Sequence, residues 1–264
     1  MKRPALNKPI EKDSKMERFE GKRALITGGS RGIGKTIALL LAKEGADIAI
    51  NYVKDEKSAE ATKASIEKIG RKTVTVRADI SDHKEIKGLF SKVRDELGGL
   101  DIFVSNAVSG VLGPAERIGR LGWERSINTN TRAFMLGVQQ AVKLFPESGG
   151  KIVAVTSIGS FTCLPGYAAI GASKAALEAL VRYFARELAP KGINVNAVSG
   201  GPVDTSALDY FPDKEDVLKI WKERTPTHRI ARPEEIARVA AFLLSEEASW
   251  IQGQTVVVDG GLTL

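Results

Sequence analysis

The 264-residue sequence predicts an α/β domain built on a doubly wound, seven-stranded parallel sheet with helices on both faces. Three observations carry this. Short β-branched runs alternate with helix-like segments of about 10–25 residues, which is the pattern of βαβ units. Hydrophobic residues make up 43% of the chain and charged residues 27%, enough apolar mass for one large core. Residues 21–264 contain no linker-like tract and no internal repeat, so they read as a single domain.

The elements follow in order. Strands are expected at Ala24–Thr27, Asp47–Tyr52, Thr73–Arg77, Ile102–Ser105, Ile152–Thr156, Ile193–Ala197 and Thr255–Val258. Helices are expected between them at about 33–44, 56–69, 82–97, 121–145, 168–188 and 233–244. Residues 203–229 break the rhythm. They carry Leu208, Tyr210, Phe211, Leu218, Ile220 and Trp221 after a strand's carboxyl end, where such sheets build a substrate-covering wall. Leu208 and Phe211 are the expected apolar substrate contacts, with an ordinary packed helix as the plain alternative. Residues 1–20 alternate Lys8, Glu11, Lys12, Asp13, Lys15 and Glu17 with no apolar stretch after Lys2 and Arg3. They read as a basic, flexible arm and not as an export signal, so a cytoplasmic protein is expected.

Composition removes several classes of function. Cys163 is the one cysteine, which excludes a disulfide framework and any multi-cysteine metal site. His83 and His228 lie far apart without ligand spacing, and no metal is expected. No apolar run reaches the ~18 residues of a membrane span. The formal net charge is +7, of which residues 1–20 hold only +2. Such an excess suits either a solvated surface or an acidic partner. No aromatic-interleaved basic tract occurs, so nucleic acid is not expected.

The most informative motif follows the first strand: Thr27-Gly28-Gly29-Ser30-Arg31-Gly32-Ile33-Gly34. A glycine-rich turn that opens a helix lets backbone amides and the helix N-terminus approach a pyrophosphate, so the fold is expected to be Rossmann-like. The second strand ends Asn51-Tyr52-Val53-Lys54. The Asp or Glu that would hold a ribose 2′-hydroxyl is missing at the strand end, and Asp55 follows only after Lys54. Arg31 and Lys54 would instead pair with a 2′-phosphate, which favours NADPH over NADH. Asp79 and Ile80 after the third strand are candidates for the adenine, and Asn106-Ala107 after the fourth for a ribose. Each has a simple turn as its alternative.

These residues, with Asn130, Ser157, Lys174 and the closing Val258-Asp259-Gly260-Gly261, resemble the short-chain dehydrogenase/reductase family over residues 22–264. Most members carry Tyr-x3-Lys. Here position 170 is Ile170, and the nearby tyrosine is Tyr167, giving Tyr-x6-Lys with Lys174. That spacing, and the segments 104–112 and 196–205, resemble the type III, NADPH-dependent enoyl-acyl-carrier-protein reductases.

The resemblance implies that Tyr167, Lys174, Ser157 and Asn130 are the catalytic set. It also implies cofactor contacts at Lys174, Pro202, Val203, Asp204 and Thr205. Tyr167 would hydrogen-bond the thioester oxygen of the substrate, and Lys174 would hold the nicotinamide ribose and lower the tyrosine pKa. On a helix, a seven-residue separation raises the rise from about 6 to about 10.5 Å. Enoyl reduction places the developing negative charge two carbons beyond the hydride acceptor, so a displaced tyrosine fits it. The implied partner is acyl carrier protein, which is acidic, and the implied assembly is a homotetramer on helices 121–145 and 168–188. A 3-oxoacyl or small-ketone reductase and a non-catalytic NADP-binding regulator are the alternatives.

Overall fold

The computed structural model describes residues 17–211 and 214–264. Seven parallel strands stand in the order β3-β2-β1-β4-β5-β6-β7. They are β1 (Arg23–Ile26), β2 (Asp47–Tyr52), β3 (Thr73–Arg77), β4 (Ile102–Ser105), β5 (Gly150–Ser157), β6 (Ile193–Gly200) and β7 (Thr255–Val258). The helices are α1 (Gly32–Lys43), α2 (Glu56–Glu67), α3 (His83–Leu97), α4 (Arg120–Ser126), α5 (Ala133–Ala141), α6 (Ala168–Leu188), α7 (Lys214–Arg224) and α8 (Pro233–Leu244). The architecture is the Rossmann-like one expected.

A parallel strand covered on both faces must be apolar on both, and β1 shows this. Ile26 joins the cluster under α1, α2 and α8, while Leu25 joins the one under α3, α5 and α6. Neither side chain has any exposure. Two helices begin on polar caps: Asp55 accepts the Ser58 N–H at α2, and Asp82 accepts the Lys84 N–H at α3. Helix α1 differs, because no side chain caps its N-terminus.

Three expectations change. Strands β5 and β6 pair down to Ser157↔Gly200, which carries them further toward the site than expected. The helix expected over 121–145 ends at Ala141 and contains a π-helical turn, Ile127–Arg132. Its cause is local. The Asn130 and Thr131 side chains bond Ser109 and Ser173 outside their own helix, and an extra residue loops out to reach them. The expected arm lies outside the described residues up to 16, but its end belongs to the domain. Phe19 is 1% exposed in the core, and Arg18 pairs with Glu44 at 2.6 Å.

The sheet order reverses between β1 and β4. That switch point opens a crevice at the carboxyl ends of the strands. The stretch 203–229 leaves the sheet there and forms a short 3-10 turn, Ser206–Tyr210, followed by α7. A two-sided clasp closes its base. Ala231 N–H donates to Pro202 O at 2.9 Å, and Asp204 N–H donates to Ala231 O at 2.8 Å.

Candidate active site

The glycine turn is built by close approach. Gly28 and Gly32 adopt φ of +62° and +55°, the left-handed region open to glycine. A Cβ on Gly28 would press on Ala107 and the Asn106 carboxamide, whereas at Gly32 only Thr205 lies within reach, at 3.5 Å. The space beside Gly32, at an uncapped helix N-terminus, is the cradle a pyrophosphate needs, and the residues fit such a group.

Two side chains hold this turn in place. Thr27 Oγ1 accepts the N–H groups of Asn106 and Ala107 at 3.0 and 3.2 Å. Asn106 Nδ2 donates to the carbonyls of Thr27 and Gly28 at 2.9 and 3.1 Å. Asn51, unassigned from the sequence, is 1% exposed and bonds across to β3, donating to Ala78 O at 2.8 Å. Its own carbonyl accepts the Gly29 N–H at 3.1 Å. A buried Asn at a strand end beside a glycine turn is the signal that could have found it.

The remaining cofactor candidates divide. Arg31, Val53 and Lys54 are exposed around the end of β2. Asp55, the nearest acid in the chain, caps α2 through the Ser58 N–H, and the charge of Arg31 acts on it. Thr205 and Ser30 flank the turn, whereas Pro202 and Val203 are buried at the base of the insert. Asp204 is exposed at the same base. Ile33 packs on the core. Two candidates have local partners. The Asp79 carboxylate accepts the Ser81 N–H at 2.9 Å in a strand-end turn and is otherwise exposed. The Ile80 side chain is 4% exposed and packs in the apolar core, which leaves its backbone at the strand end.

Tyr167, Ser157 and Lys174 come together where β5 meets α6. Tyr167 is the N-cap of α6, with φ −106° and ψ 7°, and its carbonyl accepts the Gly171 N–H at 2.7 Å. The tyrosine therefore precedes the helix, which corrects the seven-residue rise argument, because the helical rise does not run from Tyr167. Its ring lies on Gly159, where a Cβ would come within 2.6 Å of ring carbon Cδ1. Gly159 is thus a site residue that the spacing of Ser157 and Tyr167 did not reveal.

Burial raises the Tyr167 phenol above its ordinary value, and a hydrogen bond with Ser157 works the other way. This overturns the expected lowering by Lys174, whose ammonium instead donates to Val155 O at 2.7 Å. The phenol stays protonated through neutral pH and is a donor. Lys174 is 4% exposed. Burial pulls its pKa down from 10.5 to about 8, opposed by the charge of Glu178.

Ile170, at the place of the usual tyrosine, is 8% exposed and packs against Gly110, where a Cβ would collide with its side chain. No hydroxyl is offered there. Asn130 is 1% exposed and spends its carboxamide on Ser109 and on Ser173 Oγ, at 2.8–3.0 Å. Its contacts fasten the loop after β4 to α6. Leu208 is buried under the insert. Phe211 stacks on Tyr167 with ring centroids 6.4 Å apart, and Trp221 meets Phe211 edge-on at 5.3 Å.

Among the described residues no helix is long and apolar enough to cross a membrane. The family model described as enoyl-(acyl carrier protein) reductase matches residues 28–263. The chain is 44% identical over 243 residues to a 1-cyclohexenylcarbonyl-CoA reductase of Streptomyces collinus, covering 91% of this chain and 86% of that protein. It is 38% identical to the hydroxynaphthalene reductase-like protein Arp2 of Metarhizium anisopliae, covering 91% and 94%. The crystal structure of a short-chain dehydrogenase from Burkholderia cenocepacia in complex with NADP superposes with a TM-score of 0.88 at 35% identity, covering 94% and 100%.

Proposed function

The chain belongs to the short-chain dehydrogenase/reductase family of oxidoreductases, and from that premise we propose that it is an NADPH-dependent reductase of trans-2-enoyl thioesters. The acyl chain is carried by acyl carrier protein, and the reaction closes the elongation cycle of fatty acid synthesis. The observation that carries this reading is the exchange of a hydroxyl at position 170 for one at position 167. Ile170 is sealed under Gly110, while the Tyr167 phenol stands protonated beside Ser157.

The residues divide the work. The amides of the 28–34 turn and the N-terminus of α1 bind the pyrophosphate, and Arg31 and Lys54 pair with the 2′-phosphate. A nicotinamide held there would supply hydride to C3 of the substrate. Lys174 would hold its ribose with the N–H groups that Val155 leaves free. Tyr167 donates a hydrogen bond to the thioester oxygen, where negative charge collects, Ser157 orients the phenol, and a proton from Tyr167 or from water completes the reduction at C2. Phe211 and Leu208 of the insert exclude water and cover the acyl chain. Leu121, Trp123 and Tyr183 are exposed on α4 and α6, which supports an interface between copies of the chain on those helices, read as that of a homotetramer.

A second reading rests on the Streptomyces relative, whose acyl group rides on coenzyme A. The same assay covers both carriers and the ketone alternative: NADPH oxidation with crotonyl and acetoacetyl groups, each on coenzyme A and on acyl carrier protein. Crotonyl turnover, faster on the carrier protein and steeply salt-sensitive there, is expected. Turnover of acetoacetyl alone overturns the enoyl reading. No turnover with any of the four leaves a binding protein.

A further inference from the structure

Thr156, Lys174, Glu178 and Ser199 form a buried polar cluster in a layer otherwise filled by aliphatic side chains. Thr156 and Ser199 are register partners on β5 and β6, so their side chains leave the sheet on one face, the face covered by α6. Lys174 and Glu178 stand one turn apart on the buried side of that helix. The four are 5%, 4%, 9% and 0% exposed in the order named first. Thr156 Oγ1 donates to the Glu178 carboxylate at 2.7 Å, and Lys174 Nζ donates to Val155 O at 2.7 Å. The Ser199 hydroxyl has no partner.

A carboxylate in such a place is costly to bury, and one hydroxyl donor does not compensate it. Thr156 fixes the carboxylate one helical turn from Lys174 on the buried side of α6. Among the described residues Glu178 is the one charged group whose field acts on the lysine, and its neighbour on the sheet, Thr156, is uncharged. We propose that Glu178 is the positioning residue of Lys174: anchored on the sheet by Thr156, it keeps the buried lysine an ammonium held at Val155, with N–H groups left for the cofactor ribose. The proposal rests on the reading of Lys174 as the ribose-holding residue.

The test replaces the charge and keeps the shape. E178Q retains the volume and an acceptor for Thr156. In protein labelled at lysine 13Cε, the Lys174 resonance is assigned by its loss in K174R and then followed through a pH titration by NMR. The expected result is a Lys174 midpoint in E178Q lower than in the wild type by about a pH unit. NADPH affinity by fluorescence should weaken about tenfold above that midpoint, and return to within about twofold well below it. An unchanged Lys174 midpoint overturns the proposal, as does a loss of affinity equal at every pH. Should E178Q not fold, E178D and E178M replace it: the aspartate should keep the wild-type midpoint and the methionine should lower it, and equal midpoints overturn the proposal. The titration needs no acyl substrate, so it stands or falls separately from the enoyl assay.

Discussion

The ring of Phe211 lies against the ring of Tyr167, with centroids 6.4 Å apart and planes inclined by 13°. One side chain comes from the insert and the other from the start of α6, so the cover over the site and its hydroxyl donor are in direct contact. Trp221 braces Phe211 from its edge at 5.3 Å. An aromatic pair of this kind contributes about 1 kcal/mol beyond the area it buries. Phe211→Ala should therefore raise KM for a long-chain enoyl thioester about fivefold while leaving KM for NADPH unchanged. Steady-state kinetics with both substrates varied checks this. An equal rise in both constants would mean that the insert serves the cofactor and not the acyl chain.

Tyr167→Phe removes the hydroxyl and keeps the ring on Gly159. Donors to a developing oxyanion contribute about 100–1,000-fold in kcat. Turnover of crotonyl thioesters should fall by that order, with the NADPH dissociation constant within twofold of the wild type. Single-turnover rates and fluorescence titration separate the two. A near-normal rate would remove Tyr167 from the mechanism.

The alkaline limit should belong to Lys174. Its buried ammonium loses its proton near pH 8, so the competent form is present below that pH and lost as pH rises through it. The profile of kcat/KM for NADPH, which reports the free enzyme, is expected to fall with a midpoint near 8. The phosphates of the bound cofactor favour the ammonium, so the limb in kcat should lie at higher pH. Tyr167 does not set this limit, because its own shift is upward from 10.0.

Arg31 and Lys54 are exposed, so their removal should leave the fold intact. A hydrogen bond to a charged group contributes about 1.5–3 kcal/mol, or roughly tenfold to a hundredfold in affinity. Arg31→Ala with Lys54→Ala should lower the preference for NADPH over NADH by that factor, with Tm unchanged. The ratio of kcat/KM for the two cofactors measures it. A preserved ratio would place the 2′-phosphate elsewhere.

Much of this protein was legible in its sequence because it depended on local order. Alternating β-branched runs and helical periods mark the parallel sheet, since a strand buried on both faces has few residue types open to it. The glycines at 28, 32 and 34 mark the cofactor turn, since φ above zero and backbone contact exclude other residues there. The exchange of Tyr for Ile170, with Tyr167 three residues earlier, is a matter of spacing alone, and the proposed chemistry rests on it.

The tertiary structure decided what depends on distant partners. The π-helical turn at 127–132 exists because Asn130 and Thr131 meet Ser109 and Ser173 across the fold. Asn51, Gly159 and Glu178 become part of the site only when β3, Tyr167 and Thr156 arrive beside them. The charge states likewise changed in three dimensions: the lysine expected to lower the tyrosine pKa turns to Val155, and burial moves the two groups in opposite directions. Burial and pairing are sums over neighbours far apart in the chain, whereas spacing and backbone conformation are written residue by residue.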